Sequence, residues 1–123
     1  KAFELVAQYY KLGEKGYAYA DVRLMTPEGE KADAAVGDGP VDASLKAVER
    51  VVGLPISLKD YQLRAITAGK DAPGEATLQV EYNGRLYHGR GISTDIVKSS
   101  VNAYINAVNS VFLAMELEQQ EEE

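Results

Sequence analysis

Reactive side chains are scarce in this sequence, and their spacing narrows the chemistry at once. There is one histidine, His88, and no cysteine, which excludes disulfides and thiol catalysis and leaves no Cys/His pair for a transition metal. His88 lies on an alternating stretch between Arg85 and Arg90, where a lone histidine is far more often structural or exposed than catalytic. Asp38 and Asp42 bracket a turn ahead of a helical pattern, and two carboxylates there usually complement a helix dipole. Gly37-x-Gly39 lacks the third glycine of a dinucleotide loop and the Gly-Lys-Ser/Thr of a phosphate loop. No catalytic residue, metal ligand or cofactor is therefore expected in this chain. What remains is a pair of strand-to-helix junctions, Gly37-Asp38-Gly39-Pro40-Val41 and Gly91-Ile92-Ser93-Thr94-Asp95. Each sets open backbone N–H groups at a helix start beside a glycine, an arrangement suited to a small carboxylate. Each also reads as an ordinary turn with its cap.

The elements that must position these junctions follow from periodicity. Phe3 to Leu12 alternates loosely, with Phe3, Leu5, Ala7 and Tyr9 on one side; Tyr17 to Met25 alternates clearly, with Ala18, Ala20, Val22 and Leu24 inward. Pro27-Glu28-Gly29 turns the chain into a third strand, Lys31 to Val36, with Ala32, Ala34 and Val36 expected inward. Pro40 suits a first helical position, Val41, Leu45, Val48 and Val52 keep helical spacing, and Gly53-Leu54-Pro55 ends the helix. The order then repeats. Leu58 to Ala68 reads as a strand, Glu75 to Tyr82 and Arg85 to Ile92 as a hairpin around Asn83-Gly84, and a helix starts near Ser93-Thr94-Asp95. The expected fold is thus α+β, a tandem βββα-βββα with antiparallel sheets packed on two helices. Laying Asp42 on Asp95 puts the offset between halves at about 53 residues. Residues 1–115 would form the domain, in halves of about 1–55 and 56–115, and 116–123 an acidic tail.

The final helix carries Val97, Val101, Tyr104, Val108, Val111 and Met115, widened by Ile105 and Phe112. So broad an apolar arc suits either a central core helix or one partly covered by a second subunit. With 123 residues there is room for one domain, or for two very small halves that share one core. The net charge of −6 is partly the run Glu116, Glu118, Glu121, Glu122 and Glu123. An acidic chain without a Lys/Arg cluster suits neither nucleic acid nor an anionic membrane. Nothing in it reads as a secretory signal or a bilayer span, and the absence of cysteine fits a reducing, cytoplasmic setting.

Gly37-Asp38-Gly39-Pro40-Val41-Asp42-Ala43 resembles the glycine-proline loop of the regulatory domain of 2-isopropylmalate synthases, a domain shared with citramalate synthases. Leu58-Lys59-Asp60-Tyr61, followed by Ala65-Ile66-Thr67-Ala68-Gly69-Lys70-Asp71-Ala72, is similar to that domain's middle segment. Gly91-Ile92-Ser93-Thr94-Asp95-Ile96, with Ser99, Ala103, Tyr104, Asn106, Ala107 and Asn109 behind it, resembles its last signature. The resemblance covers the chain apart from the acidic tail.

It implies a regulatory, noncatalytic domain that dimerises and binds an end-product amino acid as feedback inhibitor. The expected effector is leucine, or isoleucine if the parent is a citramalate synthase. The parent would carry a catalytic barrel, absent here, that binds a divalent metal and condenses acetyl-CoA with a 2-oxo acid. The resemblance places the effector against Asp38, Gly39, Pro40 and Val41, the strand residues Leu58, Tyr61 and Ala65, then Ala72, and finally Ile92 and Ser93. Val41, Leu58, Ala65, Ala72 and Ile92 would wall an apolar slot for a branched side chain. The two helix starts would meet the carboxylate, and Asp38 the ammonium group.

Overall fold

Strict alternation at Ala18, Ala20, Val22 and Leu24 becomes the buried face of a central strand in the computed structural model, which describes residues 2–66 and 72–122. That strand, β2 (Ala18–Thr26), lies between β1 (Glu4–Leu12) and β3 (Gly29–Gly37) in an antiparallel sheet, and helix α1 (Pro40–Val52) packs on the inward face. The second unit repeats the plan. β5 (Gly74–Tyr82) lies between β4 (Ser57–Ala65) and β6 (Arg85–Ser93), and α2 (Ile96–Glu122) follows. The architecture is the expected α+β βββα-βββα. The end of the expected fourth strand, from Thr67, falls outside the described residues.

Three local expectations need correcting. The loose alternation of β1 reflects a bulge, because the register with β2 shifts between Leu5 and Ala7. One extra residue turns the following side chains over, so Leu5 shares the inward face with Gln8, Tyr10 and Leu12, and Ala7 and Tyr9 look outward. In β3 the faces are opposite to those expected. Ala35, not Ala34 or Val36, pairs with buried Ala20 and packs against the core, and Val36 is exposed. A small residue is needed there because α1 follows within a few residues and lies close. Finally, the offset between units is 53 only for the first strands, from Glu4 to Ser57. It is 56 from Ala18 to Gly74, from Gly29 to Arg85 and from Pro40 to Ile96. The connection before β5 is three residues longer than its counterpart, so the positions that correspond are the N-caps Gly39 and Asp95, not Asp42 and Asp95.

One core unites both units. Val22 and Leu24, Val48 of α1, Leu78 and Val80 of β5, and Val101, Val108 and Val111 of α2 belong to a single buried cluster, and α1 touches α2. The wide apolar arc of α2 is therefore filled by this chain's own sheets and α1. Its acidic residues from Glu116 to Glu122 continue the helix as exposed turns, and the whole helix is 27 residues, about 40 Å, long. Among the described residues no helix is long and apolar enough to cross a membrane.

Contact between α2 and β6 is unusually direct. A Cβ on Gly89 would collide with the Ala103 carbonyl and come within 2.8 Å of the Ala107 nitrogen. One on Gly91 would collide with the Ser99 carbonyl and lie 2.7 Å from the Ala103 nitrogen. Glycines on the strand and Ser99, Ala103 and Ala107 on the helix let the two backbones touch. Two asparagines extend the grip. Asn106 donates from Nδ2 to the Arg90 carbonyl at 2.7 Å. Asn109 pairs with both backbone groups of Phe3, accepting from its N–H at 2.7 Å and donating to its carbonyl at 2.9 Å. The Phe3 ring meets Phe112 edge-on, with centroids 4.8 Å apart.

Candidate functional site

The two junctions differ in how their helix starts are satisfied. At the second, Asp95 caps α2: its Oδ1 accepts from the N–H of Val97 at 2.9 Å and of Lys98 at 3.3 Å. The Asp95 N–H in turn donates to the Ser93 hydroxyl at 3.1 Å. These donors are taken from within the chain, and the cap brings a negative charge to the spot. An incoming carboxylate would be repelled there.

At the first junction Gly39 is the N-cap of α1, with extended backbone (φ 169°, ψ 172°) and no side-chain cap. The Asp38 N–H donates to Asp42 Oδ2 at 3.0 Å, and Lys46 Nζ lies 3.0 Å from the same oxygen. The Asp38 amide first, and Lys46 after it, hold the Asp42 carboxyl below its ordinary range. Gly37 is spent on packing, since a Cβ there would lie 2.5 Å from Asp42 Oδ2 and 2.6 Å from the Ala43 nitrogen. Gly39 is different: a Cβ would meet nothing within 4 Å. Of the junction glycines, Gly39 is therefore the one left with open space beside it. Gly37 and Gly91 serve the close approach of the helix that follows.

The strand residues of the expected site fall on the helix side of the second sheet. Leu58 pairs with Val80, Tyr61 with Leu78 and Ala65 with Gly74, each sharing a face with its partner. Tyr61 is half-buried, and its hydroxyl lies 2.5 Å from Ser100 Oγ, which itself donates to the Ile96 carbonyl at 2.9 Å. Ala65 and Ala72 come together with Leu63, Pro73, Thr94 and Ile96 around a cleft of about 300 Å³ at the start of α2. That volume is at the small end of the range for small-molecule pockets. Pro73, one of its lining residues, accepts at its carbonyl from the Ile66 N–H at 3.2 Å. Ser93 sits at the edge of this region, paired with Gly74.

Ile92 pairs with Glu75 on the opposite face of the sheet, half-exposed, and lines a separate groove with Phe3, Leu5 and Asn102. Asp38 to Val41 belong to the first unit, on the α1 junction. A single chain thus gathers Ala65 and Ala72 in one cleft, places Tyr61 and Leu58 along the same strand face, and leaves Ile92 and the Asp38–Val41 turn elsewhere.

Leu63, Thr94 and Ile96 were absent from the sequence-derived set. Leu63 follows from strand periodicity alone, two residues from both Tyr61 and Ala65. A second feature was not foreseeable at all. Glu75, only 3% exposed, is covered on the outer face of the second sheet by Arg64, whose Nε lies 2.6 Å from Oε1, and by Arg90 on Oε2. Arg90 first, then Arg64, holds the Glu75 carboxyl below its ordinary range. The three are separated in sequence and meet only through the β4-β5-β6 register. Among the described residues no group of three or more His, Cys, Asp or Glu side chains is arranged to hold a metal.

Residues 1–112 match the family described as the LeuA allosteric (dimerisation) domain. The chain is 44% identical over 110 residues to the 2-isopropylmalate synthase of Serratia proteamaculans (strain 568), covering 89% of this chain and 21% of that protein. It is 43% identical over 116 residues to the 2-isopropylmalate synthase of Gloeobacter violaceus, covering 94% of this chain and 22% of the relative. The enzyme of the same name from Gloeothece citriformis is 40% identical over 124 residues, spanning all of this chain and 23% of its own length. The chain therefore spans about a fifth of the length of the curated relatives it matches.

Proposed function

This chain belongs to the LeuA allosteric (dimerisation) domain family, and we propose that it binds free leucine as the feedback effector of a 2-isopropylmalate synthase. The observation that carries this reading is the cleft between β4 and the start of α2. Ala65 and Ala72 keep it wide enough for a ligand, Leu63, Pro73 and Ile96 make it apolar, and about 300 Å³ suits a branched side chain. The start of α1 at Gly39 has no side-chain cap, which leaves the Val41 and Asp42 N–H groups for the carboxylate, and Lys46 beside Asp42 offsets that residue's charge; the start of α2 is already satisfied by Asp95. Because these two parts lie on different units, a second copy of the chain is the natural source of the missing half, in keeping with a homodimer. The apolar side chains left exposed at Leu58, Leu63, Ile66, Ile92 and Ile96 support the same arrangement. Catalysis, with its divalent metal and acetyl-CoA, belongs in this reading to the remaining four-fifths of a longer enzyme.

Titration with leucine and with isoleucine, followed by calorimetry and thermal melting, tests the proposal. Leucine at 100 times its Kd should stabilise the chain by about 2.7 kcal/mol. Stronger stabilisation by isoleucine would assign the chain to a citramalate-type sensor, and no response to either would leave a dimerisation module. Light scattering should return twice the chain mass of 13.4 kDa; a monomer at micromolar concentration would refute the shared site.

A further inference from the structure

Helix α2 touches the cleft, the strand β6 and the residue that precedes β1. Its first turn, at Ile96, borders the cleft assigned above. Its middle lies backbone to backbone on β6 at Gly89 and Gly91, with no room for even a methyl group. One turn further, Asn109 holds the N–H and carbonyl of Phe3 at 2.7 and 2.9 Å, and Phe112 receives the Phe3 ring. The thirteen steps from Ile96 to Asn109 span about 20 Å.

These contacts differ in kind. Where α2 meets β6, the two backbones interlock through Gly89 and Gly91 and cannot slide independently. Just before β1 the helix instead holds buried Phe3 through side chains, by two hydrogen bonds from Asn109 and one ring contact with Phe112, with no interlock of backbones. Next to this point lies a cleft lined by Ala2, Met25, Phe112 and Leu113, about 600 Å³ in volume. Asn109 lines neither the effector cleft nor its mouth.

We infer that Asn109 is a latch through which α2 relays effector occupancy at Ile96 to Phe3, the residue before β1. The inference rests on the leucine-binding reading, because it requires an occupant of that cleft. It makes Asn109 a positioning residue: it touches no ligand, and it couples the cleft to the chain's start by holding Phe3 to the helix.

Coupling is reciprocal, so a latch that responds to leucine must change leucine affinity when it is removed. Asn109→Leu should shift the leucine Kd by about fivefold or more, the lower end of ordinary allosteric coupling. Val111→Ala, a buried truncation on the same helix, destabilises the fold without touching the latch and should leave the Kd within about twofold. Should Asn109→Leu fail to fold, Asn109→Asp keeps the acceptor for the Phe3 N–H, loses the donor to the Phe3 carbonyl, and is read the same way. The chain has no cysteine, so Ala2→Cys accepts a single nitroxide label. Leucine should change its mobility in the Asn109 chain and not in Asn109→Leu. An unchanged Kd in the Asn109 variants, or equal shifts in them and in Val111→Ala, would reduce Asn109 to plain packing. Absence of leucine binding to the unmodified chain would instead remove the effector reading, and the latch with it.

Discussion

Glycines that look alike in the sequence do different work, and substitution separates them. Gly39 has extended backbone, and a Cβ there meets open space within the chain. Gly39→Val should therefore leave the melting temperature nearly unchanged while abolishing leucine binding; a variant that binds as tightly as the parent would reduce the turn to a helix start. Gly37→Ala places its methyl against Asp42 and Ala43 and should cost about 1–3 kcal/mol in a denaturant melt, the usual range for overpacking. Tyr61 carries both roles. Tyr61→Phe should lose about 0.5–1.5 kcal/mol with its bond to Ser100, measured by urea unfolding. At this scale the sequence was informative about which positions are special and poor at saying why. Glycine beside a helix start has the same spelling whether it admits a ligand or the helix itself, and only the position of the next element decides. Glu75 escaped altogether, because a glutamate on an alternating strand ordinarily faces water, and its two arginines lie 11 and 15 residues away.

Among the elements, β2, β5 and both helices were legible because one face is wholly buried and the other is not. Tyr17 to Met25 and Glu75 to Tyr82 each alternate without interruption, and the Asn83-Gly84 turn adopts the left-handed conformations its residues favour, at φ 54° and 81°. The edge strands were harder. A bulge in β1, and in β4 the matching shift between Leu58 and Asp60, breaks the period-two pattern on which face assignment depends. β3 misled because alanines occupy both faces, so hydrophobicity could not pick the inward one. The interlock of β6 and α2 gives the sharpest test at this scale. Gly91→Val would force α2 away from the sheet and should destabilise by ~3 kcal/mol or more, at or beyond the top of the usual overpacking range. Retention of a parent-like melting curve would mean that the helix and strand are not in backbone contact.

For the molecule as a whole, the tandem plan was readable and chain length allowed two halves sharing one core, but which residues join that core was not, since periodicity reports faces and not what covers them. α2 is the case in point: its broad arc suited a second subunit as well as a core, and the answer lay in two sheets and α1 closing around it. Charge acts at this scale too. Asp33, Asp42 and Glu75 all have carboxyls held below their ordinary range by donors in the folded chain. A lowered folded value means that the stabilisation is complete above the unfolded carboxylate range, near 4, and disappears as pH falls through the folded values. Melting temperatures should accordingly be flat near neutrality and drop below about pH 4, and Glu75→Gln should flatten that drop; an unaltered acid profile in Glu75→Gln would show that the pairing with Arg64 and Arg90 contributes nothing to it. The hydrogen bonds between Phe3 and Asn109 join residues 106 apart in sequence. A ribosome adding 5–20 residues per second needs roughly 5–20 s to make the stretch between them. Once out of the exit tunnel, the first strand waits with Phe3 unfastened, and the first sheet must rely on its own hairpins and on α1 until the last helix arrives. A nascent chain stalled before residue 109 should for that reason be cut near Phe3 by a protease that leaves the released domain intact.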